Sequence, residues 1–104
     1  MWLIFKNKMN LKDLEYANFA IKSIIEDKPL ESFVYHNALN GISDFLKSKM
    51  TKKEREIVSQ NITTLNGVVN ILKRYNEGGS CIREIIEINY SDLTKVVDRL
   101  NKIN

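Results

Sequence analysis

The residue types that usually carry reactions are few in this chain and are not spaced for them. His36 is the sole histidine, and no cysteine or carboxylate stands three or four residues from it, where a helix would present a second metal ligand. Cys81 is the sole cysteine and has no histidine near it in sequence to serve as its base. Glu84 and Glu87 lie one turn apart, and Glu54 sits among Lys52, Lys53 and Arg55. Both groups read as solvated faces with local ion pairs rather than as acid–base machinery. Gly78-Gly79-Ser80 lacks the spacing and the trailing Lys-Ser/Thr of a phosphate loop. The expectation is a protein that is not an enzyme, with no metal and no cofactor. What does gather is recognition chemistry: Asn89, Tyr90, Ser91, Thr94, Lys95, Arg99 and Lys102 bring amide, hydroxyl, ammonium and guanidinium groups of the kind that contact base edges and phosphates.

Those side chains need elements to hold them. The stretch Gly78–Asn104 reads as helix, four-residue turn, helix. Ile82, Ile85/Ile86 and Ile88 are placed to pack against Leu93, Val96/Val97 and Leu100, and Ser91 is placed to cap the second helix. Such a crossing, with one polar face left free, is what a helix-turn-helix requires for the major groove. The alternative is that these are simply the last two helices of a small bundle, with Lys95 and Arg99 on a solvated face. The segment 81–88 also alternates in part and is β-branched, so helix and strand both remain open there.

Ser91-Asp92-Leu93-Thr94-Lys95-Val96-Val97-Asp98-Arg99-Leu100 resembles the recognition helix of winged-helix regulators of the MarR and SarA type. The run Leu65 to Tyr75 followed by Asn76-Glu77-Gly78-Gly79-Ser80 is similar to the helix and loop before that motif in the family. The resemblance covers residues 63–104 and implies a DNA-binding transcriptional regulator. Arg83 and Glu87 stand where small residues or Gly are usual, and the sequence stops at Asn104, where the family's β-hairpin wing begins. A member of this kind would be wingless and would dimerise through residues 10–49.

Elsewhere the apolar spacing predicts further helices. Asn10 suits an N-cap, with Asp13 in the first turn, and Leu11, Leu14, Ala17, Ile21 and Ile24/Ile25 share one face. Lys28-Pro29 is expected to end that helix. A second runs from about Leu30 to Lys49, with Phe33/Val34, Ala38, Ile42 and Phe45/Leu46 inward. Thr51-Lys52-Lys53-Glu54 fits a capping box, and the polar stretch Asn61–Gly67 suggests a break between helices near 52–60 and 63–76. Gly78-Gly79 supplies a left-handed terminator. Tyr16, Phe19, Phe33, Tyr35 and Phe45 are expected in the core, the alternative being an exposed Tyr16/Phe19 or Tyr35 patch at an interface.

At 104 residues the expectation is one domain, 1–104, all-α, a compact four- or five-helix bundle whose C-terminal part, 51–104, is a helix-turn-helix trihelical unit. Residues 1–8 read as an extension, a short strand or an apolar tail over the core, and the run at 1–6 is too short for a signal core or a membrane span. The net charge is +3, with seven basic against six acidic residues in 1–50 and nine against seven in 51–104. That balance permits nucleic acid without announcing it. The lone cysteine leaves no internal disulfide and favours a reducing, cytoplasmic setting. The leading expectation is a homodimeric, cytoplasmic regulator bound to double-stranded DNA, with no membrane partner. Its rival is a small helical protein-binding module (an inhibitor, adaptor or immunity-type protein).

Overall fold

A computed structural model describes residues 8–28 and 30–103. It contains five helices: α1 (Leu11–Ile25), α2 (Ser32–Lys47), α3 (Lys52–Gln60), α4 (Ile62–Asn76) and α5 (Arg83–Lys102). The protein is an all-α bundle. Pro29 and most of the 1–8 extension lie outside the described residues. Immediately after that extension, the Met9 N–H donates to the Lys49 carbonyl at 3.0 Å, which ties the entry of α1 to the exit of α2.

Local chemistry explains where the helices begin and end. Asn10 accepts from the Lys12 N–H and caps α1, and Thr51 and Glu54 form both halves of the capping box of α3. Helix α1 stops before Lys28-Pro29 is reached. Asp27 takes a left-handed φ of 56°, and the Lys28 N–H reaches the Ser23 carbonyl at 2.9 Å while the Asp27 N–H reaches Ile24. That is a Schellman closure, with an aspartate in the place usually held by glycine. Helix α4 closes the same way through Gly78, φ 84°, with the Gly79 N–H on the Arg74 carbonyl at 2.8 Å.

Four helices form a ring of contacts, α1 on α2, α2 on α4, α4 on α5 and α5 on α1, while α3 braces α4 and α5 from outside. Residue pairings give the directions. Asp13 faces Gly41 across α1 and α2, and Tyr35 faces Tyr75 across α2 and α4 with ring centroids 6.3 Å apart. Gly67 faces Asn89 across α4 and α5, and Asn18 Nδ2 donates to Thr94 Oγ1 at 3.0 Å while Arg83 reaches the Ile25 carbonyl at 2.7 Å across α1 and α5. Across α1 and α2 and across α2 and α4 an early residue meets a late one. Across α1 and α5 the partners run in opposite order, and α4 turns back into α5 through the short link 77–82, so every neighbour in the ring is antiparallel. The core between them is Leu14, Ala17, Ile21, Ala38, Ile42, Phe45, Leu65, Val68, Leu72, Leu93, Val96 and Leu100, all essentially sealed from water. Burial of this kind supplies the main favourable term of folding.

Three expectations are corrected here. Residues 83–102 form one uninterrupted helix, so the turn of the expected helix-turn-helix is absent and 81–88 is not a strand. Ser91 is the ninth residue of that helix and not its cap. The reason is a single seam: Ile86, Leu93, Val96, Val97 and Leu100 recur at helical spacing and are all buried. The polar residues between them do not break the helix because Asn89 Nδ2 and Thr94 Oγ1 donate back to the carbonyls four residues earlier, Ile85 and Tyr90. Of the aromatics expected inside, Phe45 alone is fully buried and Tyr35 half-buried, while Tyr16, Phe19 and Phe33 lie exposed, as do Leu46 and Ile62. Phe19 falls on the side of α1 that carries Lys12, Glu15 and Lys22, which the bundle does not cover.

Candidate functional site

Helix α5 carries every residue expected to recognise a partner, and its rotation sorts them. At about 100° per residue, Ser91, Lys95, Arg99 and Lys102 fall on one outward strip, and all four are exposed. Asn89, Tyr90 and Thr94 do not join it. Asn89 turns toward α4, where its side chain lies over Gly67. A Cβ at position 67 would collide with the Asn89 amide oxygen, so glycine is what lets the two helices approach there. Thr94 is half-buried and accepts from Asn18, and Tyr90 packs against the core. Arg99 bonds Gln60 Oε1 at 3.3 Å, which links the strip to α3. The exposed strip therefore offers Lys95, Arg99 and Lys102, with Asp98 exposed beside them and Asp92 half-buried. Acids set among so few cations weaken the attraction to a phosphate backbone.

A second surface was not singled out from the sequence. Four isoleucines stand at 82, 85, 86 and 88, and only Ile86 is buried, at 3% exposure. Ile82, Ile85 and Ile88 keep 62%, 47% and 61% of their surface in water. They were expected to pack against Leu93, Val96/Val97 and Leu100, which a turn at 89–92 would have allowed. In a straight helix they fan across about 120° of its surface, Ile88 beside the outward strip of Lys95 and Arg99, Ile82 and Ile85 on the edge toward α4. That edge opens into a groove of about 320 Å³ between α4 and α5, whose walls include Gly67, Ile71, Cys81, Ile82 and Ile85, with Asn70, Arg74, Ser80 and Asn89 at its rim. The sequence signal was present: four isoleucines in seven residues exceed what one buried helical seam can absorb.

The other features carry little chemistry. A hollow of about 340 Å³ is bounded by Lys8, Met9, Lys49, Met50, Thr51 and Glu54, but the Glu54 carboxylate is buried and engaged with the Thr51 N–H at 2.7 Å. His36 is exposed, and Cys81 is half-buried at the wall of the α4–α5 groove. Asp13 titrates above its ordinary range because burial penalises its charge and Asp44 repels it. Burial, with Tyr75 nearby, likewise raises the Tyr35 phenol. Among the described residues, no group of three His, Cys, Asp or Glu side chains stands close enough to hold a metal ion. Among the same residues, no helix is long and apolar enough to cross a membrane. No family model, curated protein or solved structure matches the chain.

Proposed function

We propose that this chain is a small helical protein-binding module that acts by surface complementarity and has no catalytic activity of its own. The observation that carries this is the exposed isoleucine edge of α5 together with the groove it borders. Scattered surface apolar residues are ordinary, but Ile82 and Ile85 on the apolar wall of a groove, with Ile88 exposed on the adjoining turn, mark an interaction site. Such a groove suits a helical or extended partner that inserts apolar side chains between α4 and α5. The half-buried thiol of Cys81 suits work in a reducing cytoplasm.

The test is capture by immobilised protein, comparing wild type with Ile85→Asp/Ile88→Asp and with Lys95→Glu/Arg99→Glu. One stoichiometric partner should be held by wild type and by the charge variant, and lost by the isoleucine variant. Equal retention by all three proteins would remove the α5 edge as the binding face.

A DNA-binding regulator is the second reading, supported by the shared outward strip of Ser91, Lys95, Arg99 and Lys102. On it, α5 lies along the duplex as one straight helix, with residues 10–49 pairing two copies through exposed side chains such as Tyr16 and Phe19, whose rings are 6.2 Å apart. It predicts binding of a mixed-sequence duplex at about 50 mM salt that weakens steeply as salt is raised. Anisotropy would show that binding lost in Lys95→Glu/Arg99→Glu and unchanged in Ile85→Asp/Ile88→Asp, the reverse of the capture pattern.

A further inference from the structure

The antiparallel ring brings the start of α1, the exit of α2, the start of α4 and the end of α5 to one end of the bundle. Helix α3 joins α2 to α4 at that end. It packs on α4 and α5 and on neither α1 nor α2. Half of the end therefore has a helix over it and, among the described residues, half does not. The hollow of about 340 Å³ opens in the α1–α2 half, between the entry of α1 and the exit of α2, with Met9 and Met50 as its apolar lining. Both methionines are half-buried against the core, and Leu46, in the last turn of α2, is exposed. The chain enters α1 at this place. Lys8 and Lys49 form an isolated parallel bridge, and the Met9 N–H donates to the Lys49 carbonyl at 3.0 Å. The two stretches thus run in the same direction where they meet.

We propose that the segment Trp2-Leu3-Ile4-Phe5, which lies outside the described residues, docks on its own chain in this hollow, against Met9, Met50 and Leu46. Three properties select it as the occupant. Its four large apolar side chains stand in a row, and leaving them in water would forgo the main favourable term of folding. They precede Lys8 by three to six residues, and at about 3.3 Å per residue they reach about 10–20 Å from it. Neighbouring helices lie about 8–10 Å apart, so that reach takes in the whole α1–α2 half of the end. The parallel bridge supplies the direction: continued N-ward from Lys8, its course leads back beside Ser48 toward Leu46. The segment then does for α1 and α2 what α3 does for α4 and α5, and residues 1–8 belong to the folded domain. The assignment stands apart from the protein-binding reading, since the α4–α5 groove is lined from the last turns of α4 and the first of α5, toward the other end of the bundle.

Trp2 is the sole tryptophan, so tryptophan emission from the whole chain reports on this segment alone. In the native protein that emission should lie at shorter wavelength than in the urea-unfolded chain, and acrylamide should quench it less steeply. Leu46→Asp and Met50→Ser should each move it toward the unfolded position while circular dichroism shows the helices intact, and Ile85→Asp should leave it in place. Trp2→Ser/Phe5→Ser should lower Tm by about 4–8 °C or more. Docking on the same chain is independent of protein concentration, so the emission should hold over about a hundredfold dilution. A native Trp2 that emits and is quenched as in urea overturns the docking. A protected Trp2 indifferent to both Leu46→Asp and Met50→Ser overturns its placement in the hollow. Protection that is lost on dilution assigns the segment to a second copy and overturns docking on its own chain.

Discussion

The centre of α5 gives a test whose sign differs between the two ways of building residues 83–102. Ser91 is exposed and sits mid-helix. Replacing it with alanine exchanges a middling helix former for the best, so Ser91→Ala should stabilise the protein by about 0.5 kcal/mol. Were Ser91 the cap of a separate helix, the same change would cost about 1 kcal/mol. For a domain of this size the first outcome raises Tm by about 2–4 °C and the second lowers it by about 4–8 °C. Asp92→Pro enlarges the contrast. In a continuous helix the proline removes the N–H that residue 92 donates to the carbonyl of residue 88, collides with that carbonyl, and pushes Ser91 out of the helical region. The penalty is about 3 kcal/mol or more, a large share of the roughly 5–15 kcal/mol that holds such a domain together. At the first position of a new helix, proline would be accepted almost freely. Thermal and urea unfolding of both variants decides the matter. A destabilised Ser91→Ala beside an unaffected Asp92→Pro would refute the continuous helix and return the turn to residues 89–92.

Three further outcomes are expected. Gly67→Ala should change stability by less than about 0.5 kcal/mol alone, because the gain in helix propensity is offset when the new methyl displaces the Asn89 amide from its bond to Ile85. In an Asn89→Ala background it should stabilise by about 1 kcal/mol, and equal effects in both backgrounds, measured by urea unfolding, would deny the contact. Thr51→Ala should cost about 1 kcal/mol through loss of the α3 cap, with Thr51→Ser recovering most of it in the same assay. The raised Asp13 titration has a definite sign: the folded state holds its proton more tightly than the unfolded state, so the contribution of Asp13 to stability declines as pH rises from about its unfolded value near 3.8. NMR titration should place the Asp13 carboxyl above that value, and Asp44→Asn should lower it part of the way, since burial remains.

Much of the fold could be read from local patterns. The caps at Asn10 and Thr51, the break at Asn61 and the left-handed turn at Gly78 each depend on a few neighbouring residues and emerge where expected. The seams of α1, α2 and α4 follow from apolar spacing alone. The recognition face was less legible. Asn89, Ser91 and Thr94 resemble caps and turn formers, and nothing short-range reveals that Asn89 and Thr94 bond back to their own helix while Gly67 and Asn18 receive them from outside. The resemblance of 63–104 to a winged-helix regulator implied a turn that the continuous α5 does not make.

The sequence by itself determined an all-α chain with its helix ends and the greater part of its core, because those properties are set by residues within one or two turns of each other. Only the tertiary structure decided which faces of those helices remain uncovered. Whether Ile85 and Ile88 meet another helix or water depends on where α4 and α1 lie beside α5. That placement is fixed by contacts far apart in the chain, Gly67 with Asn89 and Asn18 with Thr94. The same packing that straightened α5 and removed the expected turn left its isoleucine edge unpaired.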